Sequence, residues 1–293
     1  MSDLPAMLAD ALRIAFLTAS APVIGSVLLL VIARLTGARW DGIDAPARFA
    51  PALVAGGALL GLAQIGVDAP FHLKPWMSWW GVALRAVIAG AALAYAPARL
   101  RAGAGAGTTF AAVTLAFFAA LVTPLASDWM LGQVPGHPVS AIGMMLTVEA
   151  IAAAAALMLA TGRGALPTRR DMTGLMIAAT LGLGYLTFVD YLIIWFGNLP
   201  SRVDFYVDRG APAMVALVWA ALLAGLVAPI ALLSLVEGEP GRRAAGGAVL
   251  LALLLFNGWW VAGGIVALLL GVFLTALLGA GAMVVLRREA AHG

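Results

Sequence analysis

Apolar residues run in long unbroken stretches along this chain, and glycine, proline and charge punctuate them at intervals that suit a bilayer better than a soluble core. A helix that crosses the hydrocarbon needs about 20 largely apolar residues. The pattern predicts spans over 12–33, 48–66, 77–97, 108–127, 139–161, 173–197, 212–236, 244–258 and 264–286. The last two are separated only by Asn257, Gly258, Trp259, Trp260 and the pair Gly263 and Gly264, which reads as two helices joined by a tight aromatic turn. The first run follows no basic stretch and no small-residue cleavage site, so it is read as a retained span rather than a signal peptide. The expectation is a single domain over 1–293, an all-α polytopic membrane protein with about nine transmembrane helices in a bundle.

Composition removes whole classes of function. The chain is 63% hydrophobic and 11% charged, with mean hydropathy +1.02, against about 25% charged in an ordinary soluble domain. It has no cysteine, which excludes disulfides, thiolate metal sites, iron–sulfur ligation and CxxCH haem attachment. Any redox centre that serves this protein belongs to a partner. The net charge of +3 does not point to nucleic acid, because 16 of the 17 basic residues are arginine and nearly all lie in membrane-edge connections.

Those arginines fix an expected orientation. Connections after spans 1, 3, 5, 7 and 9 hold Arg34, Arg39, Arg48, Arg99, Arg101, Arg163, Arg169, Arg170, Arg242, Arg243, Arg287 and Arg288, whereas the opposite side holds Arg13, Lys74, Arg202 and Arg209. Basic residues in short loops accumulate on the cytoplasmic side, so the N-terminus is expected outside, the C-terminus in the cytoplasm and the span count odd. No internal repeat is evident, which weakens an inverted-repeat transporter without removing it. The 34 glycines and many alanines favour close helix packing.

Three ionisable residues fall inside apolar spans: Arg85, Glu149 and Asp190. At about 1.5 Å per residue, all three lie roughly 10 to 16 Å below the outer face, so they are at depths where they can meet. Two readings stay open. One is an ion pair of Arg85 with Glu149 or Asp190 that fixes helix register; the other is a protonatable relay, with a headgroup or substrate contact as a lesser alternative. Tyr185 and Tyr191 flank Asp190, and Tyr95 shares the span of Arg85, so hydroxyl partners are at hand.

Other signals are weaker. His72 and His137 lie in outer loops and His292 in the tail, so no two histidines occupy paired spans as a b-type haem requires. His72 near Asp68 and His137 near Asp128 pair an imidazole with a carboxylate, as quinone headgroups and metals use, although such loop pairs are more often simply solvated. Trp76, Trp79, Trp80, Trp129, Trp195, Trp259 and Trp260 fall near the outer edge and read as an interfacial belt. No nucleophile elbow, phosphate loop, HExxH or dinucleotide fingerprint stands in a proper context, so an independent soluble-type enzyme is not supported.

Two segments carry a family pattern: DWMLGQVPGHPVSAIG from Asp128 to Gly143, and GYLTFVDYLIIWFGNLPSRVDFYVDR from Gly184 to Arg209. Together they resemble the F subunit of alternative complex III, a quinol:cytochrome c oxidoreductase, also called quinone-binding subunit 2. Asp128, Trp129, Pro135, Ser140 and Gly143 match the family's first motif. Phe188, Leu192, Ile193, Ile194, Trp195, Asn198, Leu199, Pro200, Tyr206 and Arg209 match the second, LIIW-x-x-NLP with a downstream Y-x-x-R. LTGARW at Leu35 to Trp40, the Arg85 span and a Pro229 to Ser234 run agree in order, so the likeness covers most of the chain. Asp190 stands where the family has Gln, Ser201 and Arg202 where it has a Glu pair, and Leu131 and Gly132 within its Met-Ser-Leu stretch.

The resemblance implies a non-catalytic membrane subunit of a respiratory complex in a bacterial inner membrane, a scaffold that also offers a proton route. It implies a sister quinol-oxidising membrane subunit, an iron–sulfur protein, c-type cytochrome subunits and, in a supercomplex, a cytochrome c oxidase. Haem and iron–sulfur clusters would reside in those partners, and this chain itself could take quinone or lipid. Proton-path candidates are Asp190, Glu149, Arg85, Tyr191, Tyr185 and Asp128; motif or partner-contact candidates are Trp129, His137, Trp195, Asn198, Pro200 and Arg209. Asp128, Asp204 and Asp208 are expected in outer loops, where they would face a basic cytochrome. Two rivals remain: a proton- or ion-coupled secondary transporter built on Arg85, Glu149 and Asp190, and an oxidase-associated assembly or anchoring protein.

Overall fold

Every apolar run that falls within the residues described by the computed structural model, 4–53, 56–57, 78–101, 107–130, 141–197 and 200–292, is helical, and no strand occurs among them. In chain order the helices are α1 (Leu4–Thr36), the short α2 (Asp44–Ala47), α3 (Trp79–Arg101), α4 (Thr108–Trp129), α5 (Ile142–Thr161), α6 (Leu166–Phe196), α7 (Pro200–Asp208), α8 (Pro212–Leu235), α9 (Gly238–Val261) and α10 (Ile265–His292). Eight of these, all but α2 and α7, contain a stretch long and apolar enough to cross a membrane. The chain is a multi-pass helical membrane protein. Most of the expected span 48–66 lies outside the described residues.

Hydropathy marks the hydrocarbon and not the helix, and the boundaries differ for that reason. Helix α6 starts at Leu166, with Pro167 in its first turn, and carries Arg169, Arg170 and Asp171 before the apolar run expected to begin at 173. Helix α9 likewise starts at Gly238, takes Glu239, Arg242 and Arg243 in its opening turns, and continues to Val261. The expected aromatic turn is therefore shorter: Asn257, Trp259 and Trp260 are helical, and only Ala262 to Gly264 break the rod. Helix α8 contains a π-helical turn, Leu223–Val227, immediately before Pro229. Proline has no N–H to return to Gly225 and its ring crowds that carbonyl, so the widened turn relieves the ladder where it must break.

Helix α5 is the axis of the bundle. It is apolar on all sides, as a helix surrounded by others must be, and Ala150 and Ala152 to Ala156 are buried to within 1%. It packs chiefly on α1, α6 and α9. The most apolar windows of α1 and α5 are 72% buried inside the protein, against 17% for α8 and α10, which are therefore peripheral. Two glycines set the closest approaches: a Cβ on Gly25 would overlap the Ala150 carbonyl, and one on Gly246 would meet the Ala156 carbonyl.

Side-chain contacts define the two ends. At one, the Trp40 indole Nε1 donates to Asp171 at 2.9 Å, Asp41 accepts from the Ala165 N–H at 2.8 Å and from the Thr168 hydroxyl at 2.5 Å, and Arg169 pairs with Glu239 at 2.8 Å. At the other, the Gly263 N–H donates to Asp10 at 3.1 Å, and Arg209 binds the end of α9. The arginine-bearing connections after α1, α5 and α8 thus gather at one end.

Candidate functional site

Glu149 sits on the central helix, where three packed helices supply its surroundings. It is 1% exposed and Asn257, from α9, is 0% exposed. The Asn257 Nδ2 donates to Glu149 Oε1 at 2.7 Å and to the Thr18 hydroxyl of α1 at 3.3 Å. Among the described residues Glu149 Oε2 and Asn257 Oδ1 have no hydrogen-bond partner. In an interior where each unpaired polar atom costs about 1–3 kcal/mol, this pair is an exception that asks for a reason.

Arg85 and Asp128 form the second pair. Arg85 Nε lies 2.6 Å from Asp128 Oδ2 and Nη2 lies 2.7 Å from Oδ1, a bidentate fork that joins α3 to the last turn of α4. Asp128 is 4% exposed. It is therefore not the outer-loop carboxylate expected from sequence, because α4 runs through it to Trp129 and turns it inward.

The third pair lies at the C-terminal end of α6. Tyr206 of α7 donates its hydroxyl to Asp190 Oδ2 at 2.6 Å. Burial and the adjacent Asp190 push the Tyr206 phenol above its usual range, so it stays a donor. Its ring lies 5.1 Å from Phe205, 5.2 Å from Tyr191 and 6.3 Å from Trp259, and Phe205 in turn packs on Trp259 and Trp260 at 5.7 and 5.2 Å. The Arg209 guanidinium lies 3.8 Å over the Phe205 ring, and donates from Nε to the Trp259 carbonyl at 2.8 Å and from Nη2 to the Trp260 carbonyl at 2.5 Å. Burial pushes Arg209 down to about 10, which leaves it charged at neutral pH. It caps the C-terminus of α9, where carbonyls lack intrahelical donors.

The three in-span groups expected to share a site are thus divided among three pairs: Arg85 with Asp128, Glu149 with Asn257, Asp190 with Tyr206. Counting along the chain gives depth but not azimuth, and each helix turns its group to a different neighbour. The hydroxyl beside Asp190 is that of Tyr206, whereas Tyr185 is 65% exposed on α6, and Tyr191 stacks on Trp195 at 5.8 Å. Tyr95, also exposed, packs on Phe110.

Among the tryptophans, Trp80 and Trp195 face outward as a belt requires. Trp129, Trp259 and Trp260 do not: all three are buried, Trp129 edge-on to Phe16 at 5.0 Å, because their faces of α4 and α9 pack against other helices. Asp204 and Asp208 are exposed on α7. His72, His137, Asn198 and Trp76 lie outside the described residues, and Pro200 opens α7. Sequence reading missed Thr18 and treated Asn257 only as a turn residue, although an amide inside an apolar run was a signal.

No group of three or more His, Cys, Asp or Glu that could hold a metal occurs among the described residues. The two best-formed cavities enclose about 30 and 50 Å³ and are lined by aliphatic and aromatic side chains, with glycine and threonine as the exceptions. Neither is lined by Arg85, Glu149 or Asp190. Compared with protein-family models and with curated proteins, the chain finds no match. What fold and site define together is a class: a multi-pass helical membrane protein with polar groups paired between helices in its interior.

Proposed function

We propose that this chain is the scaffold-type membrane subunit of a respiratory electron-transfer complex, a quinol:cytochrome c oxidoreductase of the alternative complex III type, alone or joined to a terminal oxidase. The observation that carries the proposal is the interlocking of the motif from Gly184 to Arg209: Asp190 takes the Tyr206 hydroxyl while Arg209 caps α9. Residues that resemble a family motif by spacing alone here brace three helices at one end of the bundle, which suits a docking platform for soluble partners. The exposed Asp204 and Asp208 lie on the same short helix and would present negative charge to a basic cytochrome. The arginine-rich end is assigned to the cytoplasm and the α7 end to the outer face of a bacterial inner membrane, following the bias of basic residues.

Purification from native membranes in mild detergent tests this reading. Co-migrating haem c, with an iron–sulfur protein and a second large membrane subunit identified by mass spectrometry, is the expected result. A haem-free protein that migrates alone overturns it. Proton- or ion-coupled transport is the second reading, favoured by the unpartnered Glu149 Oε2 in the core. Proton flux in proteoliposomes holding this chain alone would move it to first place.

A further inference from the structure

At the arginine-rich end three guanidiniums share one carboxylate. Glu239, in the first turn of α9, has Oε1 at 2.8 Å from Arg169 Nη1 and 3.4 Å from Arg243 Nε, and Oε2 at 3.6 Å from Arg242 Nη1. The cluster is sheltered, with the side chains of Arg169 and Arg242 20% and 21% exposed. Arg169 also donates to the Gly162 carbonyl at 3.4 Å, and the Arg243 guanidinium lies where a side chain on Gly162, at φ +66°, would collide with it. Even with the negative end of α5 at Gly162 counted, cations outnumber the anion. Asp41 is the next carboxylate within reach of Arg169, but its oxygens accept from Ala165 and Thr168; Asp171 accepts from Trp40, and Glu237 is exposed. Among the described residues Arg169 Nε is a buried donor without an acceptor, and Glu239 Oε2, 3.6 Å from Arg242, is a buried acceptor without a hydrogen-bond partner.

A second feature lies farther along the same two helices. An apolar groove between α6, α8 and α9 is lined by Thr180, Leu183, Leu226 and Ala252. Thr180 follows Arg169 by eleven residues and Ala252 follows Arg242 by ten, so the groove begins about 15 Å from the cluster along both helices. That distance is about half of a 30 Å hydrocarbon core, one leaflet deep. The same two helices that bring the arginines together therefore frame a slot at the reach of an acyl chain.

We propose that the Arg169, Arg242 and Arg243 cluster binds the phosphate of an anionic phospholipid whose acyl chain lies along α6 and α9 into this groove. Guanidinium forks suit a phosphodiester, and the site stands at the depth where headgroups lie. The assignment does not depend on which complex the chain joins.

Nanodiscs of phosphatidylcholine with and without one-fifth dioleoylphosphatidylglycerol, holding the full chain, provide the test. Native mass spectrometry is expected to find a retained phosphatidylglycerol, and the thermal midpoint is expected to rise by several degrees in its presence. Arg242→Gln with Arg243→Gln should lower retention at least tenfold, and Arg243→Gln alone, at a half-exposed position, should lower it partially without threatening the fold. Arg99→Gln with Arg101→Gln removes equal charge at the end of α3, away from the cluster, and should change nothing. An equal loss in that control would mean diffuse surface charge and would overturn the site. If 10 mM inorganic phosphate stabilises the chain in pure phosphatidylcholine as well as the anionic lipid does, the ligand is a free anion and the lipid assignment fails.

Discussion

The guanidinium of Arg209 reaches the carbonyl of Trp260 at 2.5 Å, and through it the short helix α7 is fastened to the end of the long helix α9. Fifty-one residues separate the two in sequence. The contact explains why a charged residue tolerates burial among aromatic rings: its N–H groups meet carbonyls that α9 leaves without donors, and the Phe205 face takes the remaining positive charge. It also fixes where Tyr206 stands, since Arg209 and Tyr206 lie three residues apart, and Tyr206 in turn holds Asp190.

Removing that clamp should be costly. Arg209→Ala forfeits two charge-assisted hydrogen bonds and a cation–π contact, and is expected to destabilise the protein by about 2–4 kcal/mol. Arg209→Lys should recover less than half, because an ammonium cannot reproduce the fork that spans two carbonyls. Thermal unfolding in detergent, followed by tryptophan fluorescence from Trp259 and Trp260, reads both. Equal midpoints for wild type and Arg209→Ala would mean that α7 is held by its aromatic contacts alone.

The Arg85 and Asp128 fork predicts strong non-additivity. Neutralising either residue breaks a bidentate charged fork whose carboxylate is buried, at a cost of about 3–5 kcal/mol. Arg85→Gln with Asp128→Asn keeps two polar groups of similar size in contact and should cost less than either single change. A double-mutant cycle on unfolding free energy checks this, and additive losses would show that the two groups act independently.

Legibility from sequence followed physics in a consistent way. Helix placement along the chain was legible, because hydropathy reports the transfer of a segment out of water, and each long helix that could be compared falls where an apolar run predicted it. Azimuth was not, which is why Asp128 turned inward instead of facing a partner, and why Arg85, Glu149 and Asp190 took separate neighbours. The identity of the inner helix was half visible: the alanine run from Ala152 to Ala156 could be read as close packing, but only the Gly25 approach to Ala150 reveals which helix presses on it. The pairing of Asn257 with Glu149 crosses 108 residues and had no local signal beyond an amide in an apolar stretch.

Asp41 makes a pH-dependent contribution at the opposite end from Arg209. The Thr168 hydroxyl, the Ala165 N–H and the charge of Arg169 hold its carboxyl below the usual range, so the folded state favours the ionised form. The stabilisation is fully present above the unfolded pKa of about 3.9 and is lost as pH falls through the lower folded value. The thermal midpoint of wild type should therefore drop more steeply below pH 4 than that of Asp41→Asn, whose amide lacks the titration. Parallel pH profiles for the two proteins would show that the cap at Ala165 contributes nothing.

Glu149 separates an architectural role from a chemical one. In Glu149→Gln the side-chain oxygen still accepts from Asn257 Nδ2, and the new amide N–H₂ can donate to Asn257 Oδ1, so both atoms now lacking partners gain one. Stability should be kept or raised. Glu149→Ala strands the Asn257 amide and opens space on the central helix, and should cost about 2–4 kcal/mol. In the respiratory complex proposed above, a purely architectural Glu149 predicts that Glu149→Gln leaves quinol oxidation and its proton release unchanged. Intact assembly and stability with diminished proton release would instead mark Glu149 as a carrier of protons, and would shift the balance toward the ion-coupled reading of this fold.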